Sequence, residues 1–279
     1  MRRAQRTLAF GALLVASTAV LIASANVQWD QTNARLLRVL GADPRRDRLA
    51  AADDELPLCV QRYFAFTLGE KRRAIERVTL VQSGTMRGDA MSPWRPFRAI
   101  ETVSARAPGF LWNATMSIAP GLAIRVRDAY VGHAGISEGS LCAIVPLGGP
   151  KPGPAVNSAS LLRYLAESAW VPTALLPTSG VSWASIDETH ARATLTDGAA
   201  TVSMDVTFDA DGSIAQIAAL RERAVGSTVV LTPWIGKYSA YTNIEGMMIP
   251  LVAEASWAPA DGTFATWRGH IDAASYTFD

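Results

Sequence analysis

Short segments of alternating apolar and polar residues, joined by short turns, constrain this chain more than any other feature. Residues 110–118 alternate strictly, and residues 201–208 repeat the pattern. A period of two is typical of a strand with one dry face and one wetter face. Asp197-Gly198 and Asp211-Gly212 lie between such segments and indicate tight hairpins. Because short turns join antiparallel neighbours, we predict a mainly β protein with few helices, built as a strongly curved antiparallel sheet or open β-barrel of roughly 10–12 strands.

One stretch, Ser160–Pro177, departs from the strand pattern and predicts a helix. Its leucine, alanine and tryptophan residues recur at helical spacing and form one apolar stripe. Ser158 or Ser160 could cap its start, and Pro172 should end it because proline has no N–H to donate. The stretch follows the one long Gly/Pro-rich loop, residues 148–154, and precedes a new block of strands. We therefore expect an internal helix, packed on the concave side of the sheet.

The N-terminus has the pattern of a targeting segment. Three arginines precede a mostly apolar run of about 19 residues, which ends in Ala23-Ser24-Ala25. Residues 1–25 are therefore predicted to be a signal peptide or an N-terminal membrane anchor. In both cases the body is exported. We expect it to be anchored in the inner membrane and to face the periplasm or the outside, or to be periplasmic or secreted if the segment is cleaved.

The rest of the chain divides into a charged spacer, residues 26–55, and a single open-barrel β domain, residues 56–279. The first part of the spacer has an amphipathic helical pattern that ends at Gly41. Residues 43–55 are charged and alanine-rich without a core pattern, which favours a solvated linker. Pro57 is suited to the first turn of a second helix.

Composition excludes several classes of protein. A hydrophobic content of 49% supports a large core, and a net charge of +1 does not favour nucleic-acid binding. Cys59 and Cys142 share no metal-ligand spacing with each other or with a histidine, so buried thiols are expected, or a disulfide in an oxidising compartment. No nucleotide-binding motif is present, and we predict neither a cofactor nor a metal. Residues 135–139 match G-x-S-x-G but lack its strand–turn–helix context, so a glycine-rich turn explains the match and no catalytic residue is predicted.

Asp128 is the most informative polar residue. In the segment 122–131 it lies on the apolar face with Tyr130, whereas Arg125 and Arg127 lie on the other face. A carboxylate on a dry face needs a partner, because an unpaired buried charge is costly. An arginine or the Tyr130 hydroxyl is the expected partner. Asp128 is then either a structural ion pair or a polar contact in a cavity.

The predicted internal helix and the tryptophans complete the candidate site. Arg163 and Glu167 are four residues apart, which gives either a surface pair contributing about 0.3 kcal/mol or a pair that faces a cavity and selects a ligand. The tryptophans either pack in the core or line a cavity for an apolar ligand. The candidate ligand-binding residues are Trp112, Asp128, Tyr130, Arg163, Glu167, Trp170 and Trp183.

Several runs carry a resemblance to a known family. They include Pro108-Gly109-Phe110-Leu111-Trp112, the most specific stretch Arg163–Pro177, and Thr232-Pro233-Trp234. Over roughly residues 56–279 the chain resembles a bacterial family of unknown function, which implies no catalytic residues because that family has none assigned. More distantly, the layout resembles the lipoprotein carriers LolA and LolB, which have an unclosed antiparallel barrel with helices plugging an apolar cavity. This sequence differs from them in its N-terminal span and in lacking a lipoprotein cysteine.

Three functions remain open. The favoured one is a cell-envelope protein that holds a lipid or another apolar ligand in an open barrel and reaches the membrane through its N-terminal segment. The second is a non-catalytic structural or interaction module of the envelope, in which the tryptophans are fully packed and Asp128 is satisfied within the protein. The third is a hydrolase acting on a lipid or ester with Asp128 or Glu167 as acid or base, for which no motif supplies a nucleophile or metal.

Overall fold

The computed structural model describes residues 2–42, 55–69, 73–120, 122–226 and 228–278. Three α-helices lie within these residues: α1 (Arg2–Ala42), α2 (Leu58–Leu68) and α3 (Pro154–Glu167). The strands are β1 (Ile75–Met86), β2 (Arg95–Ser104), β3 (Gly109–Ala119), β4 (Leu122–Val131), β5 (Ala134–Leu141), β6 (Val145–Pro146), β7 (Val181–Ser185), β8 (His190–Asp197), β9 (Ala200–Phe208), β10 (Ile214–Val225), β11 (Thr228–Ile244), β12 (Met247–Trp257) and β13 (Phe264–Phe278).

These thirteen strands form one antiparallel sheet in the order β6-β5-β4-β3-β2-β1-β13-β12-β11-β10-β9-β8-β7. Strands β1–β6 form one wing and β7–β13 the other. The first and last strands join the wings, with Leu80 opposite Ala274. Neighbours in each wing follow one another along the chain, as short turns require. The predicted fold class is confirmed, with a somewhat larger sheet than expected.

The sheet curls around α3. This helix packs against β3, β4 and β5 in one wing and against β9 and β10 in the other. Strands β4 and β9 are eight positions apart in the sheet, so at about 4.8 Å per spacing they would lie about 38 Å apart if it were flat. A helix only about 10 Å across cannot touch both unless the sheet curls into a half-barrel. The expected internal position of this helix is therefore confirmed.

The bounds of this internal helix differ from those predicted. The α-helix begins at Pro154, six residues before Ser160, because proline is well suited to the first helical position. Gly153 precedes it, so neither Ser158 nor Ser160 is the cap. The α-helix ends at Glu167, and three short 3₁₀ turns continue the chain to residue 179. The predicted apolar stripe is buried throughout: Leu161, Leu162, Leu165, Ala166, Ala169 and Trp170.

Strand β5 approaches α3 very closely at Gly135. A Cβ atom there would lie 2.4 Å from the Val156 carbonyl oxygen and 2.6 Å from Ser160 Oγ. The backbone N–H of Gly135 also donates to Asn157 Oδ1 at 2.9 Å. The predicted glycine-rich turn at 135–139 is therefore wrong: these residues lie in a strand, and the first glycine is needed for helix packing.

Replacing Gly135 by alanine should lower the free energy of unfolding by about 1–3 kcal/mol, because α3 must move away from the strand. Gly139 in the same strand is the matched control, since its nearest neighbour to an added Cβ is 3.8 Å away. Gly139→Ala should leave the free energy of unfolding unchanged or slightly higher. Urea unfolding of both variants measures the difference, and equal midpoints would contradict the close approach.

Helix α1 covers part of the outer face of β3 and β4. Trp29 and Leu40 are buried there, and Trp29 Nε1 donates to Asn113 Oδ1 at 3.0 Å. Arg127 donates to the Trp29 carbonyl oxygen at 2.8 Å and pairs with Glu138. The predicted amphipathic helix is thus the end of α1, and it covers the arginine face of β4, which the sequence did not reveal.

Two further predictions concern the N-terminal 55 residues: a charged linker and a targeting segment. The predicted charged linker falls on residues 43–54, which lie outside the described residues. Within the described residues, no helix combines the length and apolarity needed to cross a membrane. The role of residues 1–25 as a signal peptide or anchor stays a prediction. Cys59 and Cys142 are both buried, and neither forms a disulfide among the described residues.

Candidate functional site

A cavity of about 240 Å³ lies on the concave side of the sheet, beside the C-terminal end of α3. Five indole rings line it: Trp112, Trp170, Trp234, Trp257 and Trp267. It adjoins a second space of about 500 Å³ between α3, β5 and β10. Both spaces are lined by Asp128, Arg163, Arg221 and Trp257, which mark their junction. Together they fall within the range of small-molecule sites in proteins.

Strand register explains why these side chains meet. Trp112 on β3 lies directly opposite Asp128 on β4, and Trp234 on β11 lies opposite Trp257 on β12. Directly opposed residues in an antiparallel pair point to the same face. Trp267 on β13 joins this face from the centre of the sheet. The two wings therefore bring their indoles to one concave surface.

Arg163 is the centre of a charged cluster beside the cavity. Its NH1 donates to Asp128 Oδ2 at 2.6 Å, its Nε donates to Glu167 Oε1 at 2.7 Å, and NH2 lies 3.8 Å from Glu101 Oε1. Ser137 Oγ donates to the other oxygen of Asp128 at 2.7 Å. Burial lowers the pKa of Arg163, but the three carboxyl groups outweigh it and hold the pKa above its usual value. The expected arginine partner of Asp128 is therefore Arg163.

Glu101 on β2 is fully buried next to this cluster. Gln82 Nε2 donates to Glu101 Oε2 at 2.6 Å, and Trp112 Nε1 donates to Gln82 Oε1 at 2.8 Å. Burial first, then the charge of Glu167 and a hydrogen bond between the two carboxyl groups, raise the pKa of Glu101 well above its usual value. No nitrogen donor among the described residues reaches Glu101 Oε1 or Glu167 Oε2. The raised pKa favours the protonated form of Glu101 beside Glu167.

Two arginines of β10 stand at the outer side of the cavity. The Arg221 guanidinium lies 5.2 Å from the ring centre of Trp234, and that of Arg223 lies 4.9 Å from the ring centre of Phe264. Arg221 Nε also donates to the Ala159 carbonyl oxygen at 3.3 Å. Burial and then the charge of Arg163 lower the pKa of Arg221 to about 10, which leaves it charged at neutral pH. Neither arginine forms an ion pair with a carboxylate of the described chain.

Five of the seven predicted residues line the cavity, and two do not. The five are Trp112, Asp128, Arg163, Glu167 and Trp170. The Tyr130 hydroxyl instead donates to Asp197 Oδ2 at 2.8 Å, and His133 Nδ1 lies 2.8 Å from the same oxygen, so Asp197 links the β4–β5 turn to the β8–β9 hairpin. Trp183 donates to the Leu175 carbonyl oxygen at 3.0 Å on the other side of the core.

Sequence reasoning missed Glu101, Gln82 and Arg221. It gave the tryptophans a possible cavity-lining role but did not single out the three of β11–β13 as site residues. A signal for Glu101 was present, because β2 alternates with Phe97, Ala99 and Val103 on the same buried face. The argument applied to Asp128 would therefore have found it. Arg221 gave no comparable signal. It lies in the charged run Arg221-Glu222-Arg223, which does not alternate with apolar residues.

Among the described residues, Ser137 and His133 do not contact each other. Ser137 donates to Asp128, while His133 contacts Asp197 at one end of the sheet. Within the described ranges, no cluster of three or more His, Cys, Asp or Glu side chains is placed to hold a metal ion. The geometry provides an indole-lined space beside one compensated charge cluster. Three further arginines line this space or the adjoining one: Arg87, Arg221 and Arg223.

These features define a class of protein: a mainly β chain whose antiparallel half-barrel encloses a helix and an aromatic cavity. The chain belongs to the family of unknown function DUF6920, whose model matches residues 54–276. The predicted resemblance to an uncharacterised family is confirmed.

Three solved structures resemble this chain at low sequence identity. A LolA superfamily protein from Nitrosomonas europaea is 10% identical, over 82% of this chain and 94% of that one, with a TM-score of 0.38. A DUF1329 family protein from Desulfovibrio piger is 11% identical, over 72% and 86%, with a TM-score of 0.36. A β-barrel-like protein of unknown function from Brucella abortus has a TM-score of 0.27 at 11% identity, over 74% and 99%. No curated protein matches the chain.

Proposed function

We propose that this protein holds a lipid or another apolar ligand with an acidic end in the cavity of its half-barrel. The observation that carries the proposal is the indole-lined space that adjoins Arg221, a charged guanidinium without a carboxylate partner in the described chain. Indole rings offer large apolar surfaces, which favour a chain of methylene groups over water. A guanidinium with free donors favours a carboxylate or phosphate group.

Arg163 and Arg221, two of the three arginines that line the cavity, have different roles. Arg163 already binds Asp128 and Glu167, so its charge is compensated before any ligand arrives. It fixes α3 against β4 and shapes the wall between the two spaces. Arg221 stacks on indoles and keeps its charge available at the junction. The acidic end of the ligand therefore lies at Arg221, with the apolar chain among the tryptophans.

The cell envelope is the proposed location. It is supported by the arginine-rich start, the apolar run and the Ala23-Ser24-Ala25 pattern of residues 1–25. An exported protein that holds lipid would work at the membrane surface. Residues 1–25 would either anchor it in the inner membrane or act as a signal peptide that directs its export. N-terminal sequencing of the protein purified from the envelope measures whether the segment is retained.

A structural or interaction module is the second candidate. It is favoured by the complete hydrogen bonding of Asp128 with Arg163 and Ser137, and by the burial of Trp112 and Trp170. A purely structural role does not explain the open space beside Trp257 and Trp267, whose side chains are only partly buried. Ligand binding separates the two candidates.

Decyl phosphate should bind the purified protein, and Arg221→Gln should weaken that binding about tenfold to a hundredfold, because a charge-assisted hydrogen bond is lost. Decanol should bind both forms equally. Arg192→Gln is the matched control, since Arg192 pairs with Asp205 on the surface. Isothermal titration calorimetry measures these affinities.

A second variant tests the apolar part of the site. Ala255→Phe places a ring in the indole-lined space and should weaken both probes alike. If neither probe binds the wild-type protein, the proposed function is wrong and the structural module is favoured. If both bind and Arg221→Gln changes nothing, the cavity holds apolar ligands without selecting an acidic end.

A further inference from the structure

Strands β10 and β11 extend beyond their neighbours as a two-stranded arm. Strand β10 pairs with β9 only as far as Ala218, and β11 pairs with β12 only from Trp234 onwards. Between these points the two strands pair with each other alone, from Leu220 opposite Pro233 to Val225 opposite Thr228. We call residues 219–226 and 228–233 the β10–β11 arm. An isolated two-stranded ribbon is only marginally stable in water.

The arm exposes large aliphatic side chains on both faces. Leu220 is 63% exposed, Leu231 is 60% exposed and Val229 is 54% exposed, and register places these three on one face. Val225 and Val230 are also exposed and lie on the opposite face. Contiguous exposed apolar surface on a protein marks a contact site. A protein groove would cover one face of a ribbon, whereas a lipid phase surrounds both.

We propose that the β10–β11 arm inserts into the interfacial region of a phospholipid bilayer. Arg221 lies near its base and Arg223 midway along it, and their guanidinium groups match the phosphates of lipid head groups in charge and geometry. The depth is limited, because the unpaired backbone groups along both edges of the arm must keep water or head-group partners. The arm therefore rests at the boundary between head groups and acyl chains.

The position of the arm links the bilayer to the cavity. Arg223, Val225 and Val229 line the outer space that adjoins the indole-lined cavity. Met91, 93% exposed, follows β1, whose last residue Met86 pairs with Trp267 beside the cavity. The same end of the sheet thus presents several apolar side chains. This membrane contact is additional to the N-terminal segment and does not depend on whether the cavity holds a ligand.

A fluorophore on the full chain at Thr228→Cys tests the proposal. The native Cys59 and Cys142 are buried, so the introduced thiol is the accessible one. Vesicles of phosphatidylcholine and phosphatidylglycerol carry a quencher near the head groups. Ile186→Cys is the control position, because it is exposed in the β7–β8 turn, and successive turns of an antiparallel sheet place that turn at the opposite end from the arm. We expect several-fold stronger quenching at residue 228 than at residue 186.

A second variant keeps the test independent of the anchor predicted in residues 1–25. Leu220→Ser, Val229→Ser and Leu231→Ser together should abolish the quenching at residue 228 and leave the thermal unfolding midpoint of the sheet unchanged. Quenching that is equal at the two positions, or that survives these substitutions, overturns the proposal. A spectral change at residue 228 that follows protein concentration without vesicles also overturns it, because a second copy of the chain is then the partner.

Discussion

Replacing Arg163 by glutamine should lower the free energy of unfolding at pH 7 by about 3–5 kcal/mol, the cost of removing one partner from a buried ion pair. Asp128 and Glu167 both lose their cation, and Glu101 loses the one charge that offsets its burial. Glutamine keeps part of the side-chain volume of Arg163 and an N–H donor group. The lost free energy of unfolding therefore reports on the missing charge more than on packing. Urea unfolding of the full chain measures it.

The matched control is Arg192→Gln. Arg192 makes two short hydrogen bonds to Asp205, but both side chains are exposed on the outer face of β8 and β9. Its loss should cost less than about 1 kcal/mol, because exposed ion pairs are screened by water. Equal losses for the two variants would mean that Arg163 is no more important than a surface residue.

Acid should rescue the Arg163 variant. Arg163 lowers the pKa of Glu101, so its removal raises that pKa further. A carboxyl group with a raised pKa in the folded state contributes stability below its unfolded pKa and loses it as pH rises. The stability difference between wild type and variant should therefore be largest at alkaline pH, where the wild-type Glu101 ionises first, and should shrink as the pH is lowered towards 4.5. A difference that stays constant over this range would exclude the carboxyl groups as its cause.

The sequence predicts which face a side chain takes better than what lies opposite it. Alternation in β3 and β4 places Trp112 and Asp128 on one face, and helical spacing pairs Arg163 with Glu167; both contacts exist. That Arg163 also binds Asp128 depends on how α3 crosses β4, and this follows from long-range packing. No local pattern encodes that crossing.

Two other misses have the same origin. The arginines of β4 were assigned to a wetter face, yet α1 covers Arg127, because Trp29 and Asn33 offer it a carbonyl and an amide oxygen. The sequence pattern predicts the start of α3 six residues too late. Proline is common in loops, but Pro154 is the first residue of the helix. Arginine is more often exposed than buried, and proline is more often in a loop than in a helix, so the sequence pattern favours the commoner environment for each.

The tryptophans illustrate the limit for the site itself. Sequence alone offered eight of them and two roles. Trp183 proves to be a packing residue, whereas Trp234, Trp257 and Trp267 line the cavity together with Trp112. The distinction depends on the β1–β13 pairing, which closes the two wings across almost the whole length of the chain. A pairing between residues about 200 positions apart leaves no short-range signal.

Glu101→Gln should remove a large part of the pH dependence of stability. The folded-state pKa of Glu101 lies well above its ordinary value of 4.5, so its contribution to stability is fully present below about that pH. As the pH rises towards the folded-state pKa, each unit costs about 1.4 kcal/mol. Wild-type protein should therefore lose stability as the pH rises above about 4.5 towards the folded-state pKa of Glu101.

Glutamine reproduces the protonated acid at this position. Its carbonyl oxygen can accept from Gln82 Nε2, as Glu101 Oε2 does, and its amide can donate to Glu167, as a protonated Glu101 would. The variant should match the wild type near pH 5 and exceed it by a growing margin at higher pH, measured by urea unfolding across the series. Glu254→Gln, which removes the partly buried partner of the exposed Arg268, should leave the pH profile unchanged. Parallel profiles for the Glu101 variant and wild type would mean that Glu101 is ionised in the folded protein, and the cluster would then hold three negative charges against Arg163.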